Sequence, residues 1–142
     1  MGGTLNDLTS IKIDFLKKLG TQDTKHSQRT LFDHLVGVSK ILKDMDAPQY
    51  VQDAGLYHSI YGTSKFHHQT TSDRGVVQAI IGEKAEHLAY LFCLLGRDRN
   101  RRTEILEVSD KQIRKDLMLI HYANQEEQNS RKEMTLEEVY NV

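Results

Sequence analysis

Residues 30–45 read T-L-F-D-H-L-V-G-V-S-K-I-L-K-D-M, and this stretch decides the fold class. Its apolar residues recur at spacings of three and four, which predicts an amphipathic helix. Thr30 and Asp33 resemble a capping box at the start of the helix, with Asp in place of the usual Glu. His34 falls on the apolar face. The predicted inward residues are Leu31, Leu35, Val38, Ile41, Leu42 and Met45.

The same helical period recurs along most of the chain, and no stretch has the alternation of a convincing strand. We therefore predict one all-α domain over residues 1–142, a compact bundle of about six helices. Its core would lie at about 26–128, and a C-terminal tail at 129–142 would hold a short helix that opens at Thr135. The other predicted helices cover about Leu5–Leu19, Pro48–Ile60, Val76–Ile81, Ala85–Leu95 and Ser109–Ile120.

Composition limits the partners that the chain can have. Its 142 residues carry a formal net charge of -1, which argues against an overall electrostatic mode of binding to nucleic acid or to an anionic membrane. No uncharged run is long enough to span a bilayer. The first residues lack the basic and apolar regions of a signal peptide. The only cysteine is Cys93, which excludes an intrachain disulfide. We expect a cytoplasmic protein that binds neither membrane nor nucleic acid.

A second histidine, His58, follows His34 by 24 positions and lies on the apolar face of the next predicted helix. An imidazole in a core needs a partner for each ring nitrogen, because burial without one costs free energy. Two such histidines that converge are typical of a metal site. The alternative is a pair of core histidines satisfied by ordinary hydrogen bonds. Asn124 continues the inward spacing of a third helix, so we predict that these three side chains converge.

Four stretches carry a family resemblance. They read H-L-V-G-V-S-K-I-L from His34, A-G-L-Y-H-S-I-Y-G-T from Ala54, I-G-E-K-A-E-H-L-A from Ile81 and L-M-L-I-H-Y-A-N-Q-E-E-Q from Leu117. In their order and His-to-His spacing they resemble the HD superfamily of metal-dependent phosphohydrolases, and within it the hydrolase domain of RelA/SpoT-type alarmone enzymes. The resemblance spans about residues 26–128 and implies an HD-like helical fold. The H-S-I-Y-G-T variant is also similar to a group of small uncharacterised HD-like proteins.

The resemblance implies a metal held by His34 and His58, but the family's carboxylates are missing. The family's Asp after the second histidine is Ser59 here, and its distal Asp is Asn124. Its catalytic Glu-Asp pair falls near Tyr61. Neutral Ser and Asn bind a divalent cation weakly, and loss of the acid pair removes the usual general base. Alarmone hydrolysis by the family's mechanism is therefore expected to be absent or very weak.

A metal site built on two histidines needs further ligands. We expect His26 to join His34, because an offset of eight residues places it about 80° away on a continuous helix. His67 or His68, in the loop after H-S-I-Y-G-T, is the other candidate. Asn124 is either a ligand or a hydrogen-bonding group. The expected cofactor is a divalent transition metal, Zn, Fe or Mn, and otherwise none.

Two functions stay open on the sequence. One is a metal-dependent enzyme, phosphohydrolase-like or oxygenase-like, that acts on a small anionic substrate. HD-like proteins include oxygenases as well as hydrolases, and histidine-rich sites suit iron. The alternative is a non-catalytic HD-like domain that binds a nucleotide, another small ligand or a protein partner. Fold likeness alone does not separate an enzyme from a binding domain.

A small anion would enter beside the polar loop at 62–71, where charge-assisted hydrogen bonds are available. The predicted substrate-binding residues are Ser59, Tyr61, Thr63, Lys65 and Arg74. The rival entrance is the basic segment at 96–102, whose alternative interpretation is a solvated linker. Glu126 and Glu127 are interpreted as a solvated helix end.

Overall fold

The computed structural model describes residues 3–26, 29–62, 73–128 and 135–142, with side chains from Ser10 onward. Within these ranges the chain is all-α, as the sequence predicts, with eight helices and one small pair of strands. The helices are α1 (Gly3–Lys18), α2 (Leu31–Asp44), α3 (Gln49–Leu56), α4 (Arg74–Ile81), α5 (Glu83–Leu94), α6 (Arg101–Leu106), α7 (Lys111–Glu127) and α8 (Leu136–Tyr140); the strands are β1 (Lys25–His26) and β2 (Arg29–Thr30). The strands pair antiparallel just before α2, a hairpin that the sequence does not predict.

Short polar side chains set the helix starts. Thr30 accepts from the backbone N–H of Asp33 at 3.1 Å, as the capping box predicts. The predicted start of the helix at Ser109 is close to the observed one, because Asp110 is the N-cap of α7 and accepts from Ile113 N–H at 3.0 Å. Such caps satisfy amide donors that have no partner inside the helix.

Helix α2 lies at the centre of the core, against α3 on one side and α7 on the other. Its buried residues Leu35, Val38 and Leu42 belong to the same apolar core as Val51 and Ala54 of α3. His34 lies on the buried part of α2, and both α3 and α7 pack against α2. The fold therefore brings the segments that carry His34, His58 and Asn124 close together.

Gly55 is where α3 approaches α2 most closely, since a methyl group there would lie 2.4 Å from Leu42 Cδ1 and 3.3 Å from Val38 Cγ1. Gly55→Ala should therefore lower the free energy of unfolding by roughly 1–3 kcal/mol, because overpacking a tight core forces side chains or backbone to move. Urea denaturation measures this. Gly75→Ala is the matched control: its nearest neighbouring atom would be 3.5 Å away, an ordinary contact. Equal stability of the two variants would contradict the close approach.

The predicted basic linker is exposed at residues 97–100 and leads into α6, which begins at Arg101. Arg97 donates to the carbonyls of Cys93, at 2.9 Å, and Gly62, at 3.2 Å. Arg101 is buried, with its guanidinium 4.4 Å from the centre of the Phe92 ring. Two of the cluster's arginines are thus committed to internal contacts rather than gathered into an anion clamp. No helix in the described ranges is long and apolar enough to cross a bilayer.

Candidate functional site

His34, His58 and Asn124 converge, as the sequence predicts. The two histidine Nε2 atoms lie 3.3 Å apart. Asn124 Oδ1 is 2.8 Å from His34 Nε2 and 3.0 Å from His58 Nε2. The imidazoles are almost fully buried, with 0% and 2% of their residues' surface exposed. Two helices, α2 and α7, and the turn after α3 thus direct three ring or amide atoms toward one point. The predicted helix over Pro48–Ile60 is too long, because α3 ends at Leu56 and His58 lies in the turn that follows.

The other ring nitrogen of each histidine faces an oxygen that only accepts. His58 Nδ1 lies 2.7 Å from the carbonyl oxygen of Gly55. His34 Nδ1 lies 2.5 Å from Glu127 Oε1. A carbonyl or an ionised carboxylate cannot donate, so each Nδ1 carries the hydrogen. In the neutral rings Nε2 is then unprotonated and carries a free lone pair.

Both rings are neutral near pH 7. Burial lowers the pKa of His34, and its bonds to Glu127 and Asn124 only partly oppose that effect. Burial, with the neighbouring His34, lowers the pKa of His58 well below its usual value. Two Nε2 lone pairs therefore face each other and the amide of Asn124 without a proton between them. A cation can satisfy this arrangement, and so can the amide when its NH₂ group is turned to donate to both nitrogens.

The spacing fits a shared metal ion. Two nitrogen ligands about 2.0–2.1 Å from one tetrahedral ion lie roughly 3.3–3.4 Å apart, and the two Nε2 atoms are 3.3 Å apart. In the described part of the chain, no three His, Cys, Asp or Glu side chains gather to hold a metal. The candidate donor set is therefore two imidazoles and one amide oxygen. Such a set suits a transition metal better than Mg²⁺ or Ca²⁺.

His26 contacts His34 in a way that the sequence does not predict. It lies in β1, not on an extension of α2, so the helical offset does not apply. Its ring stacks on His34 with centroids 4.1 Å apart and planes 10° apart. Stacking presents the ring face to His34, whereas a metal ligand presents a nitrogen in the ring plane. Burial, followed by the nearby His34, lowers the pKa of His26 to about 4.

Glu127 is a functional candidate that the sequence interpretation misses. Its side chain is 8% exposed, so the expectation of a solvated helix end is wrong for this residue. One carboxylate oxygen, Oε1, faces both His34 and the Arg29 guanidinium. Burial would raise the Glu127 pKa, but the hydrogen bonds from Arg29 and His34 outweigh it and the pKa is lowered. The one available signal is its position three residues after Asn124, on the same helix face.

Residues 15–97 match a family described as Domain of unknown function (DUF6817). The chain belongs to this family. The matched region contains His34 and His58 and ends before Asn124 and Glu127. No curated protein and no solved structure matches the chain.

Two of the predicted substrate-binding residues, Arg74 and Tyr61, are paired with Glu86. This carboxylate is buried, with 3% exposed. Arg74 donates to its two oxygens at 2.8 and 2.9 Å, and the Tyr61 hydroxyl donates at 2.8 Å. The Arg74 guanidinium also lies 3.5 Å from the centre of the Tyr90 ring. Arg74 and Tyr61 therefore tie α4 and the turn after α3 to α5, and their charge is already balanced.

Of the three remaining predicted substrate-binding residues, the structure describes Ser59. Ser59 is buried, and its hydroxyl has no hydrogen-bond partner in the structure described for this chain. Thr63 and Lys65 lie outside the described residues, as do His67 and His68. The only described member of the predicted set with a free donor is thus the hydroxyl next to His58.

His121 is a further buried polar residue that the sequence interpretation misses. It is 4% exposed and lies one turn before Asn124 on α7. Its ring centre is 6.5 Å from that of Phe92, which in turn meets His58 edge-on at 5.3 Å. His121 therefore packs near the same aromatic ring as His58, and none of the hydrogen bonds among His34, His58 and Asn124 involves it.

Proposed function

We propose that His34, His58 and Asn124 bind a divalent transition metal. The observation that supports this most is the direction of the ring nitrogens. Each Nδ1 is hydrogen-bonded to an acceptor, so that both Nε2 lone pairs face the Asn124 amide in a buried site. Carboxylate or carbonyl partners on the far ring nitrogen are the usual support of metal-bound histidine.

The donor set favours zinc or iron over manganese. Imidazole suits Zn and Fe, whereas Mn prefers carboxylate and water oxygens. No carboxylate of the described residues joins the two imidazoles. Three protein donors leave at least one coordination position for water or substrate, as in catalytic rather than structural zinc sites.

The proposed activity is metal-dependent chemistry on a small anionic substrate, of the kind that the HD resemblance implies. A metal bound here would act as a Lewis acid or redox centre. The carboxylates of Asp53, Glu86 and Asp116 are engaged elsewhere, with Lys12, Arg74 and Tyr50 respectively. Glu127 is held by Arg29 and by the far ring nitrogen of His34, so it does not face the converging Nε2 atoms. This favours chemistry at the metal over hydrolysis with a carboxylate base.

A second function follows from the amide of Asn124. If its NH₂ group donates to both Nε2 atoms, the three side chains form a satisfied polar core without any metal. The domain would then be a non-catalytic binder of a small ligand or protein partner. The distances of 2.8 and 3.0 Å fit either orientation of the amide.

A cobalt titration separates the two functions. Metal-free protein should bind one Co²⁺ per chain with visible d–d absorption, and Zn²⁺ should displace it. Asn124→Asp should raise the affinity roughly tenfold, because a carboxylate adds an anionic oxygen to the site. Asn124→Leu should lower it by a similar factor. Failure of wild-type protein to bind either ion stoichiometrically would refute the metal proposal and support the polar core.

A further inference from the structure

We infer that Glu127 is a positioning residue for His34, and that Arg29 holds Glu127 in place. The effect on metal binding rests on the function proposed above, whereas the effect on the His34 ring does not. Glu127 Oε1 lies 2.5 Å from His34 Nδ1, and the same oxygen meets the Arg29 guanidinium. The chain Arg29–Glu127–His34 therefore runs from the β1–β2 hairpin through the end of α7 to the site.

Gly37 leaves space for the Glu127 side chain in its observed position. A methyl group on Gly37 would lie 2.7 Å from Glu127 Cγ and Oε2, so a side chain at residue 37 would displace the carboxylate from this position. Gly37 follows His34 by three residues, nearly one turn, and thus lies on the same face of α2. The sequence H-L-V-G accordingly supplies both the ring and the space for the group that holds it.

The two histidines differ in what fixes their tautomers. His58 is held by a backbone carbonyl, that of Gly55 at 2.7 Å, which no side-chain change can remove. His34 depends on a side chain from another helix. Without an acceptor at Nδ1, the hydrogen is free to move to Nε2, where it would point toward His58 and Asn124. Glu127 prevents this and makes Nε2 the lone pair that a cation requires.

The hairpin contributes to the same ring from a second side. Arg29 lies opposite His26 in the strand pair, and His26 stacks on His34. Arg29 is partly exposed, with 46% of its side chain accessible, whereas Glu127 is buried. The guanidinium thus compensates the buried carboxylate from the surface, which keeps Glu127 in its accepting form beside a neutral imidazole.

Long-range ¹H–¹⁵N spectra of the metal-free protein test the inference directly. Wild-type His34 should show a single tautomer with the hydrogen on Nδ1. Glu127→Gln should keep this tautomer, because the amide oxygen still accepts, and Glu127→Leu should give a mixture. Arg29→Gln should keep the hydrogen on His34 Nδ1, as Glu127→Gln does, but should broaden the His34 signals because Glu127 is held less firmly. The neighbouring exposed Glu126→Gln is the matched control and should leave the His34 signals unchanged.

Metal affinity is the second measurement. Loss of the supporting carboxylate typically lowers affinity about 10- to 100-fold, and Glu127→Leu should fall in that range. Glu127→Gln should lose less, and Glu126→Gln should lose nothing. If Glu127→Leu keeps the wild-type His34 tautomer, the inference is wrong. If that variant does not fold, Glu127→Gln decides instead, and a changed His34 tautomer in Glu127→Gln would overturn the inference. A tautomer change in a protein that binds no metal would support the inference and refute the proposed metal centre.

Discussion

Protein in which His34 and His58 are both changed to Ala should bind no stoichiometric transition metal. The structural zinc of a four-ligand site contributes about 10–16 kcal/mol, so each lost nitrogen costs on the order of 3 kcal/mol, or about 100-fold in affinity. Loss of both would leave Asn124 alone, whose neutral amide is a weak ligand. Elemental analysis after metal loading and gel filtration measures the outcome, with the cobalt spectrum as an independent readout.

Controls separate ligand loss from damage to the core. His87→Ala removes an exposed histidine of α5 and should retain full metal content. His34→Gln and His58→Gln keep a polar side chain of similar length, so they are the variants to use if the double Ala protein does not fold. Circular dichroism verifies helix content before each titration. Unchanged metal content in a folded double variant would place the metal outside this site.

Helical periodicity predicts most of the centre of the site. His34 and Asn124 each replace an apolar residue on an inward helix face, and inward faces of neighbouring helices must meet in a core. His58 is buried as predicted, but it lies in the turn just after α3, and the 3.3 Å between the two Nε2 atoms depends on that turn.

The residues that pack around the site, such as Glu127 and Glu86, are not predicted by helical periodicity. Glu126 and Glu127 are identical residues side by side at a helix end, yet Glu126 is exposed, whereas the Glu127 side chain, next to Gly37 of α2, is 8% exposed. Arg74 and Tyr61 find Glu86 across 12 and 25 positions of sequence. Such pairings depend on tertiary placement, which no local spacing encodes.

The hairpin shows a different limit. Its strands have two residues each, too short for the alternation that identifies strands. A helical offset for His26 was therefore the natural prediction, and it gives the wrong geometry although it places His26 near His34. Similarly, the charges of the segment at 96–102 obscure α6, where Asn100 caps the helix and Arg101 turns inward.

Metal-free protein should lose stability as the pH falls from 7.5 to 5.0. Burial lowers the pKa of His34, His58 and His26 in the folded state, the last to about 4, whereas an unfolded histidine titrates near 6.5. Between these values the unfolded chain binds more protons than the folded chain, so acid favours unfolding. The stability that neutral histidines contribute is complete above pH 6.5 and is lost as the pH falls toward the folded pKa values.

The magnitude is set by the fully buried His58. If His58 stays neutral in the folded protein at pH 5.0, the free energy of unfolding falls by about 2 kcal/mol between pH 6.5 and pH 5.0, since each pH unit is worth up to about 1.36 kcal/mol. His34 and His26 act in the same direction. Glu127 does not interfere, because its lowered pKa moves its contribution to more acid pH. Urea denaturation at pH 7.5, 6.5 and 5.0 measures the combined effect.

Two comparisons make the acid effect specific to the site. His87→Gln, at an exposed position, should leave the pH dependence unchanged. Saturating Zn²⁺ should enlarge the difference between pH 7.5 and pH 5.0, because protons compete with the metal for Nε2 and metal binding stabilises only the folded state. Equal stability of the metal-free protein at pH 7.5 and 5.0 would mean that His58 takes up a proton within the fold. The two Nε2 atoms would then share that proton, and the converging lone pairs that favour a metal would not exist.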